Sequence, residues 1–271
     1  IVLGFKKSEA LASAYGIAVS TTMLMTTLLA AVVMKAVWKW NTIIVTTVIG
    51  LFLIVDLGFF ASNLSKVLEG GWFPLVVGSA GFLLMMTWYQ GRGILRKRAI
   101  AGGIRLDDFI TSLLQHPPHR VEGTAIFLTA HVDYVPASLL HNLKHNHVLH
   151  ERIFFLKISI WDVPYVNDDQ RITIKELGPN IYVVRAVYGF KEQPDSTQIL
   201  NLLESKFDLK TDSMNTSFFL SRDTVVPTDI PGMALWREAL FAWMYQNAGR
   251  QSDFFKIPAN RLVELGAKVE I

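Results

Sequence analysis

The side chains best suited to chemistry fall into four groups. The densest is His141-Asn142-Leu143-Lys144-His145-Asn146-His147-Val148-Leu149-His150. On a helix, His141 and His145 would lie one turn apart, a spacing that suits a pair of metal ligands. The chain has no cysteine and no glutamate follows His141. Zinc needs three or four convergent ligands, which favours a solvated helix face with Leu140, Leu143 and Leu149 turned inward. The second group is a single acid, Asp56, in an apolar stretch. An ionisable group inside a membrane is a functional candidate by default. Its place late in that stretch, with Asn63 and Lys66 following, suits structural anchoring near the outer interface, and anchoring is favoured. The third group is the hydroxyls of Ser13, Ser20, Thr21, Thr22, Thr26 and Thr27, with Tyr15, Thr22 and Thr26 near one stripe. Such a stripe lines a polar pathway, or packs against neighbours with its hydroxyls bonded to carbonyls one turn back. Packing is favoured. The fourth is Arg92, Arg96, Lys97 and Arg98, which meet anionic lipid headgroups at ~1 kcal/mol each or simply mark the end of a span.

None of these makes a catalytic constellation. Gly91-Arg92-Gly93 fits neither the Walker nor the Rossmann spacing, and no serine has a nucleophile-elbow context. Without cysteine there is no thiolate chemistry. The residues imply no enzyme, no cofactor and no metal, and a net charge of +3 argues for no nucleic-acid partner.

The elements that hold these groups divide the chain in two. Apolar stretches cover residues 14–34, 41–60 and 72–90, the first extending back to about residue 10 as a helix. About 20 apolar residues cross a ~30 Å hydrocarbon core as a helix. Residues 1–91 are therefore expected as a transmembrane region, 92–118 as a basic connector and 119–271 as an α/β domain. In the first span Ala10, Ala14 and Ala18, and beside them Ala12, Gly16 and Ser20, recur every four residues, which lets helices approach closely in lipid. Gly70 and Gly71 predict a tight turn, and Pro74 suits the first turn of the next helix. Trp72 at one end and Trp88 with Tyr89 at the other form aromatic belts.

Lys35 and Lys39 lie between spans one and two, and the four basic residues follow span three. The positive-inside rule puts both sites, and the tail, in the cytoplasm. Lys6 and Lys7 oppose this mildly. The opening Ile1-Val2-Leu3-Gly4-Phe5 is neither a start nor a signal peptide, so the chain is read as the C-terminal part of a longer polytopic protein.

In the tail, a short helix is predicted over 107–115, ended by Pro117-Pro118. Strands are predicted over 124–129, 153–160, 171–177, 181–188 and 216–220, and helices over 136–147, 196–207 and 233–247. Gly178-Pro179-Asn180 joins a hairpin. The interleaving implies a sheet with helices packed on it.

These residues together resemble the KUP/HAK/KT potassium uptake permeases. Ser8-x-x-Leu11-x-x-Ala14-Tyr15-Gly16-Ile17-Ala18-Val19 is similar to a late transmembrane helix of that family. Asp56-Leu57-x-Phe59-Phe60-x-x-Asn63-Leu64-x-Lys66 with Gly70-Gly71-Trp72-x-Pro74-Leu75 is similar to the next helix and loop. His141–Asn146 with Val148–Arg152 resembles the strongest motif of its cytosolic domain, and Phe255-x-Ile257-Pro258-x-x-Arg261-Leu262-Val263-Glu264-Leu265-Gly266 resembles its C-terminal end. The resemblance runs over essentially the whole chain. It implies the last three helices of an amino-acid/polyamine/cation carrier fold followed by a cytosolic α/β domain. It also implies potassium:proton symport across the inner membrane, with potassium and proton bound mainly by helices absent from this chain, and a homodimer contact. Tyr15, with Thr22 on its stripe, is the residue it links to the ion path. The competing readings are a related cation or amino-acid carrier, and a tail acting as a ligand-sensing or dimerisation module, for instance toward a cyclic dinucleotide.

Overall fold

A computed structural model describes residues 8–212, 214–228, 230, 232–249 and 251–271. Lys6 and Lys7 lie outside the described residues. The chain forms two compact units, one ending at Met86 and one beginning at Thr87.

The first unit is built on a helical hairpin. Helix α1 covers Ser8–Ala36 and α2 covers Thr42–Leu64. Asn41 caps α2, its side-chain oxygen accepting from the Ile43 amide at 2.9 Å, which satisfies one of the amides a helix start leaves open. Ser13, Ala14, Ile17 and Ser20 of α1 and Val45, Ile49 and Asp56 of α2 are buried within this unit. Small residues allow the two helices to approach closely: a Cβ on Gly16 would sit 2.6 Å from the Asn63 side-chain oxygen. A single π-helical turn, Val67–Gly71, then leads into α3, Trp72–Ala101. Gly70 has φ 140°, and a Cβ there would run into the Ala10 carbonyl. The tight glycine turn read from the sequence therefore seats on the first turns of α1. All three helices are long and apolar enough to cross a membrane.

Two bounds differ from expectation. Helix α2 continues four residues past 60. Helix α3 runs unbroken to Ala101, so the first ten residues expected as connector are helix. Both extensions are polar or mixed stretches that hydropathy does not count but that carry no proline.

The second unit centres on a six-stranded sheet. Its strands are β1 (His119–Leu128), β2 (Val148–Trp161), β3 (Ile172–Gly178), β4 (Ile181–Gly189), β5 (Thr216–Ser221) and β7 (Leu262–Leu265). The order is β3-β4-β2-β1-β5-β7, parallel except for β3, which pairs antiparallel with β4. Two further strands, β6 (Thr224–Val226) and β8 (Lys268–Glu270), pair parallel in a second ladder. The chain moves outward from β1 to β2 and β4, then returns past β1 to β5. The sheet is doubly wound, with its reversal between β1 and β5.

Buried on both faces, the strands alternate between two cores. Ala125, Phe127, Ile153, Phe155 and Phe219 face one side, where helices α4 (Leu106–Gln115) and α5 (Ala137–Asn146) pack. Ile126, Leu128, Phe154, Leu156 and Phe218 face the other, where α7 (Ser196–Phe207) packs through Ile199, Leu200 and Leu203. The short helix α6, Asp168–Arg171, precedes β3. A third cluster joins Leu95 of α3 to Val225, Ile271 and helix α8 (Leu235–Gln246) through Phe241 and Ala242.

Strand β1 begins five residues earlier than predicted, with Gly123 at φ 106° in a bulge. A Cβ on Gly123 would lie 2.6 Å from the Asn215 carbonyl oxygen. Strand β2 likewise starts at Val148, so the histidine run is split between α5 and β2, and Leu149, fully buried, belongs to the strand.

Candidate functional site

In the membrane hairpin, the buried acid and the hydroxyls meet. Asp56 is 4% exposed, and its Oδ2 accepts from the Thr27 hydroxyl at 2.5 Å. It lies eight residues before Leu64, ~12 Å from the helix end at 1.5 Å per residue. Helix α2 runs on past residue 60 to Leu64, so Asp56 lies within the helix and not at its last turn. Its partner is Thr27 across the hairpin. Asn63 and Lys66 were the expected neighbours, but Asn63 donates to the Phe59 carbonyl at 3.0 Å. Thr27 was one of six similar hydroxyls, and only the hairpin register singles it out.

Three of the other hydroxyls bond back to their own helix, while the Thr21 hydroxyl is buried without a partner. Ser20, Thr22 and Thr26 each donate to the carbonyl four residues back at 2.8 Å. Tyr15 is 72% exposed, and Thr22 and Thr26 are exposed beside it, on the face of α1 opposite the α2 contact. The structure does not bring Tyr15 or Thr22 to Asp56.

The basic residues divide. Arg92 lies 6.0 Å over the Tyr245 ring, and Arg98 donates to the Glu270 carbonyl. Arg96 and Lys97 are exposed. Burial pushes the Tyr245 hydroxyl up, the Asp223 charge adds to this and Arg92 opposes it. Burial also raises the Asp223 carboxyl, against the pull of His141.

The histidine run is a junction between helix and strand. Asn142 is buried and donates to the Val148 carbonyl at 3.0 Å, while its side-chain oxygen accepts from Asn146 at 2.8 Å. His147 ends α5 in the left-handed region at φ 57°, its amide donating to the Leu143 carbonyl. His141 and His145 stack with ring centroids 6.0 Å apart. Among the described residues, no group of three or more His, Asp or Glu could hold a metal. Burial lowers the His150 imidazole, whose Nδ1 has no partner.

Sequence reasoning missed the densest polar network, centred on Arg171. This buried guanidinium donates to Asp168 at 2.7 Å, Glu192 at 2.8 Å and the Val166 carbonyl at 2.6 Å, and sits 4.7 Å over the Tyr188 ring. Glu192 also accepts from the Gly189 and Val166 amides. The Arg171 hydrogen bond, helped by those amides, pulls the Glu192 carboxyl down to about 2. The network closes the 162–171 loop over the end of β4. At the reversal of the sheet, the Ser221 hydroxyl accepts from the Ser138 amide at the start of α5, at 3.0 Å.

Residues 1–93 match the profile described as the K+ potassium transporter integral membrane domain, and residues 122–271 match the K+ potassium transporter C-terminal domain. The chain belongs to the K+ potassium transporter family. The four motifs resembling the uptake permeases thus have the predicted affiliation, and a family of transporters is not a class of enzymes. A Polynucleobacter asymbioticus protein named "Probable potassium transport system protein Kup" is 73% identical over all 271 residues, which cover 42% of its length. Proteins of the same name from Cupriavidus metallidurans and Burkholderia thailandensis are 58% and 56% identical over the whole chain, each covered to 43%. The chain spans less than half the length of these curated relatives. With the family, the apolar helices establish a membrane protein.

Proposed function

We propose that the chain supplies the last three membrane helices and the cytoplasmic tail of a secondary active potassium importer, driven by proton symport across the inner membrane. The observation that carries this reading is the pair of family domains, membrane then C-terminal, matched in order across the whole chain. The relatives' names supply potassium as the substrate. The positive charges after α1 and along the end of α3 support a tail on the cytoplasmic side.

Within such a transporter α1 presents Tyr15 and Thr22 outward from the hairpin, on the face available to line a path. Asp56 anchors α1 to α2 through Thr27. Helices α2 and α3 buttress α1 or meet a second copy. The test is rubidium uptake by the full-length protein in cells lacking their own potassium importers. Uptake that rises with external acidity supports the symport. Uptake indifferent to acidity removes the proton, and no uptake with the protein in the membrane removes potassium.

A regulatory reading of the tail rests on one observation. The reversal between β1 and β5 is where doubly wound sheets take ligands, and there the Ser138 hydroxyl is fully buried without a partner. Absence of heat on titrating the full-length protein with nucleotides would remove it.

A further inference from the structure

Helix α8 is apolar nearly all round. Its sequence, Leu-Trp-Arg-Glu-Ala-Leu-Phe-Ala-Trp-Met-Tyr-Gln, carries two charges, and both are engaged. Arg237 donates to the buried Thr87 hydroxyl at 3.0 Å. Glu238, also buried, accepts from the Met233 and Thr228 amides. Phe241 and Ala242 fill the core beneath. The opposite face, at helical spacing, holds Trp236, Ala239, Leu240 and Trp243, with the two tryptophans 57% and 64% exposed. A helix apolar on both sides belongs in a core or in lipid.

Its contacts give its depth. Arg237 meets Thr87, Phe241 packs against Trp88 and closely over Gly91, and Tyr245 meets Arg92. These α3 residues straddle the end of the apolar stretch at residue 90 and cover ~7.5 Å of helix axis. That is about the thickness of one headgroup layer, since the polar regions add ~5–7 Å to each side of the hydrocarbon core. The contacts advance in the same direction along both helices, so the first turn of α8 is the end nearer the hydrocarbon. Arg96 and Lys97, exposed one turn further along α3, add positive charge on the water side. Tryptophan beside basic residues is the composition of an interfacial segment.

We propose that α8 is an interfacial helix, its Trp236–Trp243 face seated in the headgroup boundary of an anionic bilayer, with Trp236 deeper than Trp243. The tail is then held to the membrane by this face as well as by α3. This rests on α3 being a membrane span, and the experiment separates the two.

The chain has no cysteine, so Trp236→Cys, Ala239→Cys and Trp243→Cys each give a unique labelling site. Ala239→Cys removes no large side chain and covers the case in which a tryptophan variant fails to fold. Each variant of the full chain, in bilayers of zwitterionic and anionic phospholipid, is spin-labelled and its collisions with oxygen and with a water-soluble nickel complex are compared. Leu83→Cys on α3 and Lys175→Cys on β3 are the hydrocarbon and water references. Interfacial seating gives an oxygen-to-nickel ratio several-fold above that of Lys175→Cys, greatest at position 236. A water-like ratio at all three α8 sites, with Leu83→Cys in hydrocarbon, overturns the proposal. Labels shielded from both reagents also overturn it, because protein then covers the face. A water-like Leu83→Cys refutes the span itself.

Discussion

The membrane hairpin and the tail bury their polar groups in opposite ways. In the hairpin one carboxylate, Asp56, has one hydroxyl partner. In the tail Glu192 has a guanidinium and two backbone amides, and the guanidinium has further partners of its own. Water explains the difference. Around the tail it drives phenylalanines such as Phe127, Phe154, Phe155 and Phe218 inside, and a charge taken with them needs close partners, as Arg171 has through Nε and Nη2, although its Nη1 is left without one. Lipid is as apolar as leucine, so hydrophobicity does not sort the faces of α1 and α2. Close approach of small residues and interhelical hydrogen bonds, Thr27 to Asp56 and Lys35 to Thr42, set the register there.

The contrast can be tested by removing one group at a time. Arg171→Met strands Glu192 and should have the largest effect, destabilising the tail by ~3–5 kcal/mol. Denaturant unfolding of the chain in detergent measures this, and a loss below ~1 kcal/mol, as for a surface pair, would show that the network is not a closed buried unit. Acid probes the same network less severely. The Glu192 carboxyl sits at about 2, below its ordinary 4.5. Its contribution is fully present above pH 4.5 and is lost as pH falls toward 2. An acid titration of tail stability should lose that part of its slope in Glu192→Gln, and an unchanged slope would assign the titration elsewhere.

Smaller effects are expected in the hairpin. Gly70→Ala forces a side chain into a left-handed backbone facing the Ala10 carbonyl, at ~1–3 kcal/mol. It should lower the amount of folded protein in the membrane while leaving tail unfolding unchanged. Removal of the Thr27 bond costs least, ~0.6–1.7 kcal/mol as for other interhelical hydrogen bonds in lipid. Asp56→Leu should show that loss in thermal stability. Asp56→Asn keeps an acceptor for Thr27 and should leave uptake by the full-length protein largely intact. Abolished uptake with normal abundance would make Asp56 a coupling group instead of an anchor.

The same contrast explains what could be read from residues alone. Long apolar runs located α1, α2 and α3, and alternation with β-branched residues located β3 and β4 to within a residue and the central part of β2. Strands β6 and β8 have three residues each, too few for any period, and β7 takes its place only by pairing with β5. Arg171 read as the start of a strand, because its partners come from residues 166, 168 and 192, one of them about twenty residues away. Asn142 was hidden among histidines that drew attention as ligands, though its own side chain ties α5 to β2. Asp56 was visible at once, but its partner depended on a hairpin register that hydropathy does not report.

The most direct measurement is rubidium uptake by the full-length protein in importer-deficient cells, at acidic and at neutral external pH. Uptake in both conditions, stronger in acid, is the result the proposed proton-coupled import predicts. No uptake in either condition, with the protein folded in the membrane, would contradict it.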